Sequence, residues 1–238
     1  MHLATHDRLF VLTGAGISAE SGLATFRGSG GLWNGHRVEE VATPEAWEAN
    51  PLLVWRFYSM RRRDALAAQP NAAHRALAAI EQKMGDRFYL CTQNVDDLHE
   101  RADSQRVHHM HGTLFQSRCE SCNATFADSA CYEDAASLPK CSECGAQVRP
   151  HIVWFGEFPL DMEGIERELE RATVLLVVGT SGSVYPAAGF VHIANQRRIR
   201  TVYIGPEKPA NGDAFDEVIL AAATEALPEM SRKIERDA

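Results

Sequence analysis

Four cysteines fall into two close pairs, Cys119-x-x-Cys122 and Cys141-x-x-Cys144. Thiolates at this spacing can close a tetrahedral site around a single zinc ion. The alternatives are two disulfides or four unrelated thiols. No secretion signal is expected, because the first apolar run begins already at Leu9. In a reducing compartment, paired cysteines point to metal. Four protein ligands leave no position for water, so such a zinc would hold structure and take no part in a reaction. Cys91 lies in an apolar run and reads as a small core residue. Cys131 lies between the two pairs and has no evident partner.

A second group of residues could bind a nucleotide. Gly14-Ala15-Gly16-Ile17-Ser18-Ala19-Glu20-Ser21-Gly22 directly follows the first apolar run. Glycines there let the backbone turn tightly and approach a pyrophosphate, with the N–H groups of a following helix to receive it. The third glycine misses the dinucleotide-fingerprint spacing, so the motif alone favours nucleotide binding only slightly over a plain strand-to-helix turn. Gln93, Asn94 and Asp96 end another apolar run, and Gly179, Thr180 and Ser181 end a third. Ligands of open α/β sheets bind beyond the carboxyl ends of strands. The plainer role is capping, which Asp96 or Asp97 could perform for the next helix. In His108-His109-Met110-His111, strand alternation puts His109 and His111 on one face and His108 on the other. His108 and His109 read as a polar strand end.

The elements that must position these groups follow an α/β pattern. Short apolar runs predict strands at 9–13, 88–92, 107–110, 152–155, 174–179 and 201–205. Runs without alternation suit a parallel sheet covered on both faces. Helices are expected at 51–68, 72–84, 164–172 and 187–197. Residues 35–85 look helical throughout, and 113–148 hold the cysteine pairs among small and polar residues. The expected organisation is a Rossmann-like parallel-sheet core from residues 1–34, 86–112 and 149–238. It carries a helical insertion at 35–85 and a small zinc-ribbon module at 113–148.

The chain has 238 residues, 45% of them hydrophobic, which is enough for a buried core. Its formal net charge of −8 argues against direct nucleic-acid binding and suits a locally basic partner, such as a lysine-rich protein segment. No apolar run is long enough to span a bilayer. A cytoplasmic monomer with no membrane attachment is expected.

The glycine turn continues into Thr25-Phe26-Arg27-Gly28 and Gly30-Gly31-Leu32-Trp33. Further along come Thr92-Gln93-Asn94-Val95-Asp96, His111-Gly112, Val153-Trp154-Phe155-Gly156-Glu157 and Gly179-Thr180-Ser181-Gly182-Ser183-Val184-Tyr185-Pro186-Ala187. In this order, across nearly the whole chain, the motifs resemble the signature of the sirtuins. The resemblance implies an NAD-dependent protein-lysine deacylase that consumes NAD and releases free lysine, nicotinamide and an O-acyl-ADP-ribose. It makes His111 the general base and Asn94 its catalytic companion. By the same resemblance Gly14, Ala15, Gly16, Ala19, Glu20, Thr25, Phe26, Arg27, Trp33, Gln93, Asp96, Gly179, Thr180 and Ser181 surround NAD. Val153 and Phe155 line the acyl-lysine tunnel. Backbone around Gly156, Glu157, Val184 and Tyr185 pairs with the substrate peptide as added strands.

Tyr58 and Arg61, three apart on a predicted helix, match the Tyr-x-x-Arg pair of class III sirtuins. That match implies a preference for succinyl and malonyl over acetyl groups. The plainer reading makes Arg61-Arg62-Arg63 a solvated basic stretch. One segment departs from the family. Where sirtuins carry Asn-x-Glu near the last core strand, this chain has Gly205-Pro206-Glu207. Altered or weaker adenosine-side binding is expected, with Ala223 near the adenine. The competing readings are mainly a deacetylase, or a non-catalytic NAD and zinc-ribbon binding module. A conventional dehydrogenase lacks its glycine spacing and its acidic residue here.

Overall fold

A computed structural model describes residues 3–25 and 35–236. The chain runs β1 (Leu9–Thr13), α1 (Gly16–Ala19), α2 (Val38–Val41), α3 (Pro44–Ala49), α4 (Pro51–Ala67), α5 (Ala72–Met84), β2 (Phe88–Thr92), α6 (Leu98–Arg101) and β3 (Val107–His109). It continues through β4 (Gly112–Cys119), β5 (Thr125–Ala127), β6 (Val148–Ile152), α7 (Met162–Arg171), β7 (Val174–Val178), α8 (Phe190–Gln196), β8 (Arg200–Gly205), β9 (Glu217–Leu220) and α9 (Ala223–Arg236).

Six strands form one parallel sheet in the order β3-β2-β1-β7-β8-β9. All five side chains of β1 are buried, and so are those of β7, because helices cover both faces. Leu9 and Val11 pack on one side with Ala73, Leu77 and Ile80 of α5 and Leu227 of α9. Phe10 and Leu12 pack on the other with Ile165 of α7 and Phe190 and Val191 of α8. The strand order reverses between β1 and β7, with β2 and β3 added on one side of β1 and β7, β8 and β9 on the other, which is where such sheets open a crevice for ligands.

A second sheet, β5-β4-β6, is antiparallel and carries the four paired cysteines at its ends. A third core, with Trp47, Trp55, Tyr58, Cys119, Cys141 and Trp154, joins this sheet to α2, α3 and α4. Residues 35–85 therefore divide, with α4 in the small core and α5 on the large sheet. Helices α4 and α5 each start at an asparagine. Asn50 Oδ1 accepts from the Leu53 N–H at 3.0 Å, with Pro51 in the first turn, and Asn71 Oδ1 accepts from the Ala73 N–H at 2.9 Å.

Three sequence expectations change. The run at 152–155 is not a strand of the parallel sheet, since Ile152 closes β6 and residues 153–155 follow it as irregular backbone. β9 and α9 form outside the expected strands and helices, with Ala223, Leu227 and Met230 of α9 packed into the large-sheet core. Arg62 is not solvated. It is fully buried, pairs with Asp128 at 3.3 Å and donates to the Leu114 carbonyl, tying α4 to the cysteine module.

Candidate active site

The loops after β1 and β7 touch backbone to backbone. A Cβ on Gly16 would lie 2.7 Å from Gly179 Cα, and Gly179 has φ +64°. Neither position has room for a side chain, so the glycines exist for this close approach. Gly14, Ala15 and Gly16 thus meet Gly179, Thr180 and Ser181 at the reversal point. Gln93, Thr180, Ser181, Gly182 and Val184 line one cavity there. Ala19 and Glu20 lie exposed at the end of α1, and Thr25 is half-buried. The Thr224 hydroxyl donates to Glu20, which brings the start of α9 and Ala223 beside the glycine turn. Phe26, Arg27 and Trp33 lie outside the described residues.

The turn after β2 is braced from below. Asn94 donates its amide to the Gly14 carbonyl and the Ser18 hydroxyl, each at 3.2 Å. Asp96 accepts from the Leu98 N–H at 3.2 Å, so the sequence-level capping role and a place in the cleft coexist. Burial raises the Asp96 pKa, against the Leu98 N–H, Ser18 and the charge of Arg61. Beneath lie two more buried histidines that sequence reading passed over. His99 Nε2 meets Thr13 Oγ1 at 3.0 Å, and His74 stacks edge-on against His99. Burial holds His74 down to about 4 and His99 well below the ordinary histidine range.

His111 Nδ1 lies 3.1 Å from the Gln93 carbonyl. A carbonyl only accepts, so Nδ1 carries the proton and Nε2 is left as the base. Burial lowers the His111 pKa, opposed by the Gln93 carbonyl, and keeps the ring neutral. His109 differs, because both of its nitrogens face acceptors, the Asn94 carbonyl at 2.9 Å and Glu100 at 2.6 Å. Burial pulls its pKa down, but Glu100 and the carbonyl outweigh this and raise it. β3 stops at His109, yet the face assignment stands, with His108 turned away toward Tyr89 and the Leu160 carbonyl. Gly112 follows His111 because a Cβ there would lie 2.0 Å from the His151 carbonyl oxygen, at φ +78°.

Two elements bring acyl-pocket candidates to this turn. On α4, Tyr58 is fully buried and its pKa is pushed up to about 12 by burial, so the phenol stays protonated. Arg61, whose pKa burial lowers, interacts electrostatically with Tyr58 and with Asp96. After β6, the Val153 N–H donates to the His111 carbonyl at 2.9 Å and the Phe155 N–H to Ala42 at 3.0 Å. This segment thus ties the backbone of His111 to the cysteine-bearing core at Ala42. Phe155, Gly156, Phe158 and Tyr185 are exposed. The Glu157 side chain turns inward to Arg149, at 2.7 and 2.9 Å, and leaves only its backbone for a partner.

The segment at the end of β8 that departs from the family has its own solution. A Cβ on Gly205 would lie 2.3 Å from the Tyr203 hydroxyl, which donates to the Thr180 carbonyl at 3.1 Å. Tyr203 therefore fills the space that a side chain at 205 would need. Glu207 lies beyond it, exposed.

The four sulfurs of Cys119, Cys122, Cys141 and Cys144 lie within 4.8 Å of one another, with Cys119–Cys144 at 3.5 Å and Cys122–Cys141 at 3.6 Å. A tetrahedron with Zn–S of about 2.3 Å has edges of about 3.8 Å, whereas a disulfide needs about 2.05 Å. The geometry fits one structural zinc and not two disulfides. Backbone N–H groups of Ser121 and Cys122 point at the Cys119 sulfur, as a thiolate ligand requires.

A parallel sheet with a nucleotide crevice at its reversal point, joined to a four-thiolate module, defines a Rossmann-like NAD-binding protein with a structural zinc. The chain belongs to the Sir2, or sirtuin, family, whose profile matches residues 14–186. It is 50% identical over 224 residues to an NAD-dependent protein deacylase of Caulobacter vibrioides, covering 93% of this chain and 94% of that protein. It is 48% identical over 231 residues to an NAD-dependent protein deacylase of Escherichia coli (strain K12), covering 95% and 82%. Among solved structures, a Sir2 homologue in complex with NAD superposes with TM-score 0.87 at 42% identity, covering 98% of this chain and 91% of that one. A Sir2 protein bound to a myristoylated histone peptide superposes with TM-score 0.76 at 31% identity, covering 98% and 93%.

Proposed function

We propose that this chain is a bacterial-type, NAD-dependent protein-lysine deacylase that removes succinyl and malonyl groups and, more weakly, acetyl groups. One observation carries the reading. The turn at 93–96 is held at one end by the neutral His111, through Gln93, and faces the charge of Arg61 at the other, through Asp96. A proton acceptor and an acyl-group reader thus converge on the same short segment. NAD supplies the ribose carbon that takes the acyl oxygen as nicotinamide leaves. His111 Nε2 takes a proton from a ribose hydroxyl. Asn94 and Asp96 hold the nicotinamide end, while Gly14, Ala15, Gly16, Gln93, Gly179, Thr180 and Ser181 receive the ribose and phosphates. Tyr58 donates its hydroxyl, and Arg61 its paired N–H groups, to the carboxylate that ends a malonyl or succinyl chain.

The names of the relatives and the peptide-bound neighbour support acylated protein segments as the substrate class. A net charge of −8 supports basic segments as targets in preference to nucleic acid. No helix among the described residues is long and apolar enough to cross a membrane, in keeping with a cytoplasmic site of action. The test is nicotinamide release from NAD with one lysine peptide carrying acetyl, malonyl or succinyl groups. Release should require the acylated peptide and be fastest, by kcat/KM, for the two dicarboxylic groups. Release that ignores the peptide ends the deacylase reading, and an acetyl preference ends the acyl assignment.

A further inference from the structure

Trp154 stands where the cysteine-bearing core meets the cleft, and it is 2% exposed. Its surroundings fix it on three sides. The backbone N–H donates to Glu157 at 2.8 Å. Arg149 lies over the ring, 3.3 Å from the centroid, and is itself held by both Glu157 oxygens and the Ile152 carbonyl. Trp47 packs against it at 5.7 Å. From this position the indole N–H donates to the Tyr58 hydroxyl at 3.1 Å.

The direction of that bond has a chemical consequence. An indole N–H only donates, so the Tyr58 oxygen accepts and its own proton points elsewhere. Of the charged groups that act on Tyr58, Arg61 and Arg149 cannot accept a proton, and Glu157 is engaged by Arg149 and the Trp154 backbone. We infer that Trp154 is a specificity-determining positioning residue, which turns the Tyr58 hydroxyl into a donor aimed at a carboxylate-ended acyl group. An acetyl group ends in a methyl and gains nothing from that donor. The inference rests on the reading of Tyr58 and Arg61 as the acyl pocket. A buried tryptophan needs some partner for its N–H, so a purely structural role is the alternative to exclude.

Trp154→Phe removes the N–H and keeps a ring for Arg149 to cover. Kinetics with succinyl-lysine and acetyl-lysine peptides are measured for wild type, Trp154→Phe, Tyr58→Phe, the double variant and Arg61→Met, each checked for its melting temperature. The succinyl-to-acetyl ratio of kcat/KM should fall about 3- to 10-fold in Trp154→Phe, the size of one hydrogen bond. The fall should be carried by KM for the succinyl peptide. In the Tyr58→Phe background the same change should move the ratio no further, since the two residues act through one bond. Equal loss of both activities, or a further fall in the Tyr58→Phe background, overturns the inference. A selective loss in Arg61→Met with none in Trp154→Phe overturns it alone. An Arg61→Met enzyme that keeps its succinyl preference overturns the pocket reading and the inference together.

Discussion

The Gln93 carbonyl oxygen sits 3.1 Å from His111 Nδ1 and thereby decides which ring nitrogen is basic. Burial lowers the His111 pKa, so the neutral base persists to a pH below histidine's usual range and is lost only as the pH falls through that depressed value. The acid limb of kcat/KM should therefore lie below 6.5, the ordinary value. His111→Ala should cost about 10²–10⁴-fold in turnover, the usual worth of a general base. NAD binding, followed by calorimetry, should survive. Near-normal turnover in that variant removes His111 from the mechanism.

The thiolate cluster predicts a different phenotype. Cys141→Ser breaks one corner of the zinc site, which supplies folding energy and no chemistry. Elemental analysis should find about one zinc per wild-type chain and less in the variant, whose melting temperature should drop. A wild-type protein without zinc, or one whose melting is indifferent to a strong chelator, contradicts the assignment.

Arg61→Met should reduce desuccinylation by about 10²–10³-fold, because an anion buried without its cationic partner loses about 2–5 kcal/mol. Deacetylation should change far less. Proportional loss of both activities would mean that Arg61 supports the fold and does not read the acyl group.

His74 makes stability depend on pH. Burial holds its pKa near 4 against an ordinary 6.5, so between those values the unfolded chain binds a proton that the folded one refuses. Its contribution is complete above pH 6.5 and is lost as the pH falls toward 4. His109, whose folded pKa is raised, acts in the opposite direction: its stabilisation is complete well below 6.5 and is lost as the pH rises through the raised value. Denaturant unfolding between about pH 6 and 4.5 should show a slope that His74→Gln lowers by up to about 1.4 kcal/mol per pH unit. Parallel curves for the two proteins would show that His74 titrates normally.

Much of this was legible in the chain. The apolar runs at β1, β2, β7 and β8 gave the parallel sheet because strands buried on both faces need no alternation. The helices expected from 51 and 72 start there, and the structure supplies the reason, since Asn50 and Asn71 cap α4 and α5. α9 escaped because Pro228 inside it argues against a helix, and its burial comes mostly from packing on α5. The burial of Arg62 escaped because its partners come from residues 114–130, far along the chain. The bond from Trp154 to Tyr58 spans 96 positions, and no local pattern could announce it.

The Tyr203 phenol lying over Gly205 also ties the end of β8 to the loop after β7. A Cβ at 205 would lie 2.3 Å from the hydroxyl that donates to the Thr180 carbonyl, so a larger residue at 205 displaces the phenol and releases that carbonyl. The absence of a side chain at 205 thus works as a latch, and a residue added there would be felt first in the loop that carries Thr180.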